Sequence, residues 1–266
     1  MEIYPMPVQE STLTIPDLAG KAVLVTGGST GIGAALVSAY AAQDCRVGLH
    51  YNASAEKAEA LAAEVRDKGG EVFLVRGDFS VSADVTRVVE ETASHFGRLD
   101  GLVNNAGGML GRLPYSEMTD AQYDAVMDLN ARSVITACRV AIPWLRKNGG
   151  FIVNTTSVAA RNGAGNGAGV YGSAKAFVSN VTRGLSKELV ADRIRVNAVA
   201  PGLIVTPFHE RWTSPEQMKV QVATVPMGRA GTAEECVGAY LFLSSDLLSG
   251  YITGQVIEVN GGQLMP

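Results

Sequence analysis

A chain of 266 residues, 47% hydrophobic and 18% charged, is long enough for one large core and needs no division into smaller units. Its formal charge of -4 and pI near 5.5 provide no basic field for nucleic acid or anionic lipid, so the expected partners are small molecules and other subunits. Cys45, Cys138 and Cys236 are widely spaced, which excludes a disulfide framework or a cysteine zinc site. His50, His95 and His209 are equally scattered, and no metal is expected.

The opening residues, MEIYPMPVQESTLTIP, have neither a basic start nor an apolar h-region, and no apolar stretch reaches membrane-spanning length. The expectation is a cytoplasmic protein with an N-terminal arm over 1–16 and a single domain over 17–266. An apolar run at 22–25 then leads directly into Thr26-Gly-Gly-Ser-Thr-Gly-Ile-Gly33. Helical spacing follows at Ile32, Ala35, Leu36, Ala39 and Tyr40. It recurs at Ala58, Leu61, Ala62 and Val65, and again at Val81, Val85, Val88, Val89 and Thr92. Short apolar runs at 46–50, 72–75, 99–104, 151–155, 195–200 and 255–259 read as strands covered on both faces. This alternation predicts an α/β fold, a doubly wound parallel sheet with right-handed crossovers.

In such a sheet, ligands bind beyond the carboxyl ends of the strands. The first strand end carries Gly27, Gly31 and Gly33, which permit a sharp turn and close approach of a ligand to the backbone. The helix that starts there aims free N–H groups at an anion such as a pyrophosphate. After the third strand comes Asp78, readable as an acceptor for an adenine amino group or as a cap for a helix beginning near Ser80. After the fourth comes Asn104-Asn105-Ala106-Gly107, able either to lock the sheet or to let a flat ring pass.

Tyr171 and Lys175 stand four apart and share a helix face. At roughly 4 Å and an effective dielectric of about 20, the ammonium would favour phenolate by up to ~4 kcal/mol, which would bring the tyrosine toward neutrality. Such a pair also arises by chance on solvated helices. Ser157, at the end of the fifth strand, can donate to a carbonyl oxygen as charge develops there. Asn130 lies inside a helical pattern, where asparagine is mildly unfavourable, leaving room for a role such as holding a water.

With these residues in this order, the chain resembles the short-chain dehydrogenase/reductase family from about residue 17 to 262. The resemblance implies a Rossmann fold and NAD(P)-dependent hydride transfer at nicotinamide C4. It implies a cofactor site of Gly27, Ser29, Thr30, Gly31, Ile32, Gly33, Tyr51, Asn52, Asp78, Phe79, Asn105, Ala106, Gly107, Pro201, Gly202, Ile204 and Thr206, together with Tyr171 and Lys175. Asn130, Ser157, Tyr171 and Lys175 correspond to the catalytic tetrad: Ser157 polarises the carbonyl, Tyr171 exchanges the proton, Lys175 lowers its pKa and holds ribose, and Asn130 supports a water relay. One departure is the stretch 162–169, rich in Gly, Ala and Asn, which lengthens the interval before Tyr171 by a residue.

No acid stands in His50-Tyr51-Asn52-Ala53-Ser54 at the second strand end, so NADP is expected over NAD. The segment 203–226 corresponds to a substrate lid, with Phe208, His209, Arg211, Trp212 and Met218. Trp212 there either covers substrate or simply packs. Arg112, Arg161, His209 and Trp212 are candidate substrate contacts, although the two arginines read more readily as solvated surface. A small polar ketone, polyol or sugar suits this wall. A 3-oxoacyl thioester is the alternative substrate, and a non-catalytic NAD(P)-binding sensor or scaffold the alternative of another class. Apolar residues on several faces of 119–147 and 171–190, among them Val134, Ala141, Phe177 and Val181, predict a homotetramer.

Overall fold

The structure, a computed structural model, describes residues 14–206 and 214–265. The lid candidates Phe208, His209, Arg211 and Trp212, and most of the expected N-terminal arm, lie outside the described residues. Seven strands form one parallel sheet: β1 (Ala22–Val25), β2 (Arg46–Tyr51), β3 (Glu71–Arg76), β4 (Gly101–Asn104), β5 (Gly150–Thr155), β6 (Ile194–Pro201) and β7 (Val256–Val259). Their order is β3-β2-β1-β4-β5-β6-β7, the doubly wound arrangement expected, and the strand ends fall within two residues of those read from the sequence.

The helices are α1 (Gly31–Ala41), α2 (Ala55–Asp67), α3 (Ser82–Phe96), α4 (Asp120–Met127), α5 (Ser133–Leu145), α6 (Ala159–Asn162), α7 (Gly169–Leu189), α8 (Pro215–Val222), α9 (Ala233–Ser244) and α10 (Asp246–Ser249). Side chains alternate across each strand, so neighbouring apolar residues feed opposite cores. Val23 and Val25 pack with Leu36 and Tyr40 of α1, Ala62 of α2 and Tyr240 of α9. Leu24 packs on the other face with Val88 of α3, Ala137 of α5 and Val178 of α7. Two fully covered faces explain why the strands read as continuous apolar runs.

Two boundaries differ from the sequence reading. Ile15 and Leu18 are buried, and the Ile15 N–H donates to Gln43 Oε1 at 2.6 Å, so packing begins inside the expected arm. The pattern over 119–147 is not one α-helix. A π turn at Asp128–Arg132 interrupts it, with the Ser133 N–H reaching back five residues to the Asp128 carbonyl. Such turns insert a residue and re-aim the side chains within them; here the re-aimed side chain is Asn130.

The chain crosses from β3 back to β4 beside β1, so the carboxyl ends of β1 and β4 diverge into the helices above them. That switch point opens the main cleft.

Candidate active site

A cleft of about 600 Å³ runs along the carboxyl edge of the sheet. Its floor begins at the turn between β1 and α1. Gly27 and Gly31 have φ of 66° and 55°, a region that side-chain-bearing residues seldom adopt. A Cβ at Gly33 would lie 2.0 Å from the Gly27 carbonyl oxygen, so the helix can fold back onto the turn only without one. Thr26 Oγ1 donates to Val103 O at 3.2 Å and accepts from the N–H groups of Asn105 (2.9 Å) and Ala106 (3.0 Å). Asn105 Nδ2 donates to Thr26 O and Gly27 O. These bonds sew the ends of β1 and β4 together, which assigns Asn105 a locking role. Asn104 locks as well, donating from the core to Asn154 Oδ1 at 2.8 Å.

Thr30 caps α1 in an extended conformation without a side-chain bond. Ser29, Thr30, Gly31 and Ile32 line the cleft there, so the positive end of an 11-residue helix faces it.

His50 is the residue that sequence reasoning undervalued. Its Nδ1 accepts the Gly27 N–H at 3.0 Å, its main-chain oxygen accepts the Gly28 N–H at 2.7 Å, and its Nε2 donates to Gly77 O at 3.1 Å. The ring stacks on Phe79 with centroids 3.9 Å apart. This buried ring therefore joins the glycine turn to the ends of β2 and β3. Its place as the last fully buried residue of β2, beside the expected turn, was the available signal. Burial lowers its pKa from 6.5 to about 4.

A stability prediction follows from that shift. With the folded pKa below the unfolded value, the unfolded chain binds more protons between them. The stabilisation is complete above pH 6.5 and is lost as pH falls toward 4, by up to about 3 kcal/mol. Urea unfolding at pH 7 and pH 4.5 should show a larger loss in wild type than in His50→Asn; equal losses would remove His50 as the acid-sensitive group.

Ser157 follows β5, and Tyr171 and Lys175 sit one turn apart on α7. Tyr171 and Ser157 are hydrogen-bonded, and Ser157 Oγ accepts the Ala159 N–H at 3.1 Å. Lys175 is 4% exposed and donates from Nζ to Thr155 O at 2.9 Å, while Thr156 Oγ1 donates to the Lys175 carbonyl at 2.8 Å. The helix is thereby pinned to the strand end.

The expected lowering of the Tyr171 pKa is not met. Burial pushes the phenol up to about 12 against the opposing Ser157 bond, and burial brings Lys175 itself down to about 8. Lys175 Nζ is turned to Thr155 O and lies 5.8 Å from the tyrosine ring centroid, so desolvation outweighs its charge.

The tetrad's fourth member is tied to backbone on both sides. Asn130 is fully buried; its Nδ2 donates to Val126 O and Gly108 O at 2.8 Å each, and its Oδ1 accepts the Gly108 N–H at 3.0 Å. Both amide hydrogens are committed to backbone. Its side chain thus holds the Gly107-Gly108 wall in place.

Phe79, Asn52, Ala106, Gly107, Pro201, Gly202, Ile204, Thr206 and Arg112 line the cleft as expected; Gly33 and Tyr51 do not, Gly33 packing close on the Gly27 carbonyl and Tyr51 against the core. Asp78 is a correction. Its Oδ1 accepts from Ser80 N at 2.9 Å and Ser80 Oγ at 2.7 Å, closing the turn before α3, and it does not line the cleft. Arg161 is another: it pairs with Glu258 at 3.1 Å, outside the lining. Gln221 and Gln263 were not foreseen and do line it.

Among the described lining residues there is no aspartate or glutamate. With the helix N-terminus and the close-approach glycines, that lining fits an anionic dinucleotide. Among the described residues no cluster of metal ligands occurs, and no helix is long and apolar enough to cross a membrane.

A doubly wound parallel sheet that places a serine, a tyrosine and a lysine beside a glycine-rich anion turn defines a Rossmann-type oxidoreductase. The chain belongs to the short-chain dehydrogenase/reductase family. A family model described as enoyl-(acyl carrier protein) reductase matches residues 27–263. The 3-oxoacyl-[acyl-carrier-protein] reductase FabG of Staphylococcus aureus is 37% identical over 248 residues, covering 92% of this chain and 98% of that protein. General stress protein 39 of Bacillus subtilis is 37% identical over 268 residues, 99% of this chain and 92% of that one. Among solved structures, the NADH-dependent reductase A1-R' responsible for alginate metabolism superposes with a TM-score of 0.87 at 39% identity, covering 94% of this chain and 100% of that one. The protein is an NAD(P)-dependent oxidoreductase.

Proposed function

We propose that the enzyme reduces the carbonyl of a small polar ketone or sugar and oxidises the matching secondary alcohol or polyol. The observation that carries this reading is the hydrogen-bonded Ser157–Tyr171 pair in a wall that also holds Arg112, Asn162, Asn166, Gln221 and Gln263. The bound nicotinamide supplies or takes up the hydride at C4. Ser157 polarises the carbonyl oxygen, and Tyr171, protonated across the neutral range, delivers the proton to it. Lys175 acts after that transfer, when its ammonium favours the phenolate left behind. Leu203, Ile204, Thr206 and Gln221 line the cleft on either side of 207–213, which supports 203–226 as the cover of the substrate end.

For the cofactor we infer NADP(H) over NAD(H). Asn52, Ala53 and Ser54 line the adenosine end, the Ser54 hydroxyl makes no cap bond to α2, and Arg76 Nε reaches Asn52 O at 3.2 Å. A 2′-phosphate thus meets a hydroxyl and a nearby guanidinium rather than a carboxylate. Asn52→Asp should weaken NADPH on the order of tenfold to a hundredfold and leave NADH equal or tighter. Fluorescence titration of both cofactors checks this; NADH binding more tightly to wild type would favour the second reading, supported by the NADH-dependent relative.

The relatives named 3-oxoacyl-[acyl-carrier-protein] reductase favour a thioester as the alternative substrate. A panel of ketones, sugars and 3-oxoacyl thioesters assayed with NADPH and NADH tests substrate class and cofactor together. Turnover confined to the thioesters would replace the small-ketone and sugar reading, and none with any carbonyl would restore the sensor or scaffold.

We also propose a homotetramer. Val134 and Ala141 are buried within the subunit, but Ile135 on α5 and Phe177 on α7 remain 40% and 41% exposed, an apolar surface suited to a second copy. Light scattering at micromolar concentration should give four times the chain mass; a stable monomer contradicts it. The three cysteines are buried and unpaired, which supports a cytoplasmic setting.

A further inference from the structure

The loop that leads into α7 is the most unusual backbone in the described residues. Gly163, Ala164, Gly165, Asn166 and Gly167 all have left-handed φ, at 77°, 61°, 59°, 47° and 76°. Two of the five carry side chains, and such a run persists only where neighbouring structure enforces it. The enforcement comes from the segment after β4. Leu113 N–H donates to Gly167 O at 2.9 Å, and an Arg112 guanidinium nitrogen donates to Asn166 O at 3.2 Å. Asn162 Oδ1 closes the loop from within by accepting the Ala164 N–H at 2.9 Å.

The left-handed run ends at Gly167, four residues before Tyr171, and α7 begins at Gly169, so one strained segment leads into the helix of the proton donor and also holds Arg112. Arg112 is half-buried in the cleft wall, and burial lowers its pKa. It stands with Asn162, Ala164 and Asn166 on the wall beside Ser157 and Tyr171, whereas the anion turn of the cofactor lies at Ser29–Ile32. Arg112 and Lys175 are the only charged residues among the described lining. Lys175 donates to Thr155 O beneath Tyr171, and Arg112 donates to Asn166 O from the wall. A chain of net charge -4 thus lines this cleft without a carboxylate and holds a guanidinium at its substrate end.

We propose that the natural substrate carries an anionic group, a carboxylate or a phosphate, close to the reacting carbonyl, and that Arg112 is the specificity-determining residue that receives it. A guanidinium can hold either group through paired N–H donors, and fixing that end would align the carbonyl with Ser157 and Tyr171. The inference rests on the reading of the cleft as a carbonyl reductase site and adds to it the charge of the substrate.

Matched pairs test it: acetoacetate against methyl acetoacetate, levulinate against methyl levulinate, and hydroxyacetone phosphate against hydroxyacetone. In wild type, kcat/KM should favour the anionic member of at least one pair by about tenfold or more, mainly through KM, and the preference should shrink with added salt. The pair with the largest ratio identifies the group as carboxylate or phosphate. Arg112→Gln should bring that ratio close to one, and Arg112→Lys should keep part of it. The cofactor dissociation constant of each variant reports whether its fold is intact; if it is not, the wild-type ratio and its salt dependence decide. Neutral ketones turned over as well as their anionic partners would overturn the assignment while leaving the carbonyl reading standing, as would a ratio that Arg112→Gln does not change. No turnover of any of the six would remove both.

Discussion

Tyr171→Phe is expected to lower kcat for carbonyl reduction on the order of a thousandfold while cofactor affinity stays within a few fold. The substitution keeps the ring against its neighbours and deletes only the hydroxyl that bonds Ser157. General acid catalysis of this kind contributes roughly a hundredfold to ten-thousandfold. Because burial holds the phenol near 12, the wild-type acid is present throughout the neutral range, and reduction should not lose its proton donor between pH 6 and about 9. Oxidation needs the phenolate, whose fraction rises tenfold per pH unit below the pKa, so its rate should climb with pH over the same interval. Single-turnover kinetics with pre-bound cofactor measure both. A variant close to wild type would remove Tyr171 from the chemistry.

Ser157→Ala should cost on the order of a hundredfold in kcat, the scale of one lost oxyanion donor, with a smaller change in KM. The interaction is strongest when negative charge develops on the carbonyl oxygen, so its loss falls on the transition state. Ser157 Oγ also accepts the Ala159 N–H, which adds a small stability loss at the start of α6. Ser157→Thr separates the two roles, because a hydroxyl remains available for both. Its recovery of activity over the alanine variant would place the hydroxyl in catalysis; an equal loss in both would reduce Ser157 to a turn residue.

Much of the site was legible because it depends on local geometry. The glycine turn is written in residues whose φ values suit few others, and Tyr171 and Lys175 share a face because helical spacing puts them there. What was misread depends on partners distant in the chain. Asp78 is the local exception: of its two readings, Oδ1 took the turn with Ser80, two residues on. Arg161 finds Glu258 97 residues away; nothing near Arg161 in the chain announces that pair. His50 looked like a scattered histidine until three strand ends met around it.

The sequence by itself determined the α/β alternation, the parallel sheet and the order of the catalytic residues, since apolar periodicity and turn chemistry act over a few residues at a time. The tertiary structure alone decided the protonation states and the tethering. Tyr171 is held near 12 rather than poised near neutrality because burial outweighs a lysine turned toward Thr155. Asn130 is spent on Gly108 because a π turn aims it there. Arg112 stands at the substrate end because a left-handed loop about 50 residues later in the chain closes onto it. Desolvation and long-range hydrogen bonding are properties of the assembled neighbourhood, and the crossovers that assemble it bring together residues that linear spacing keeps apart.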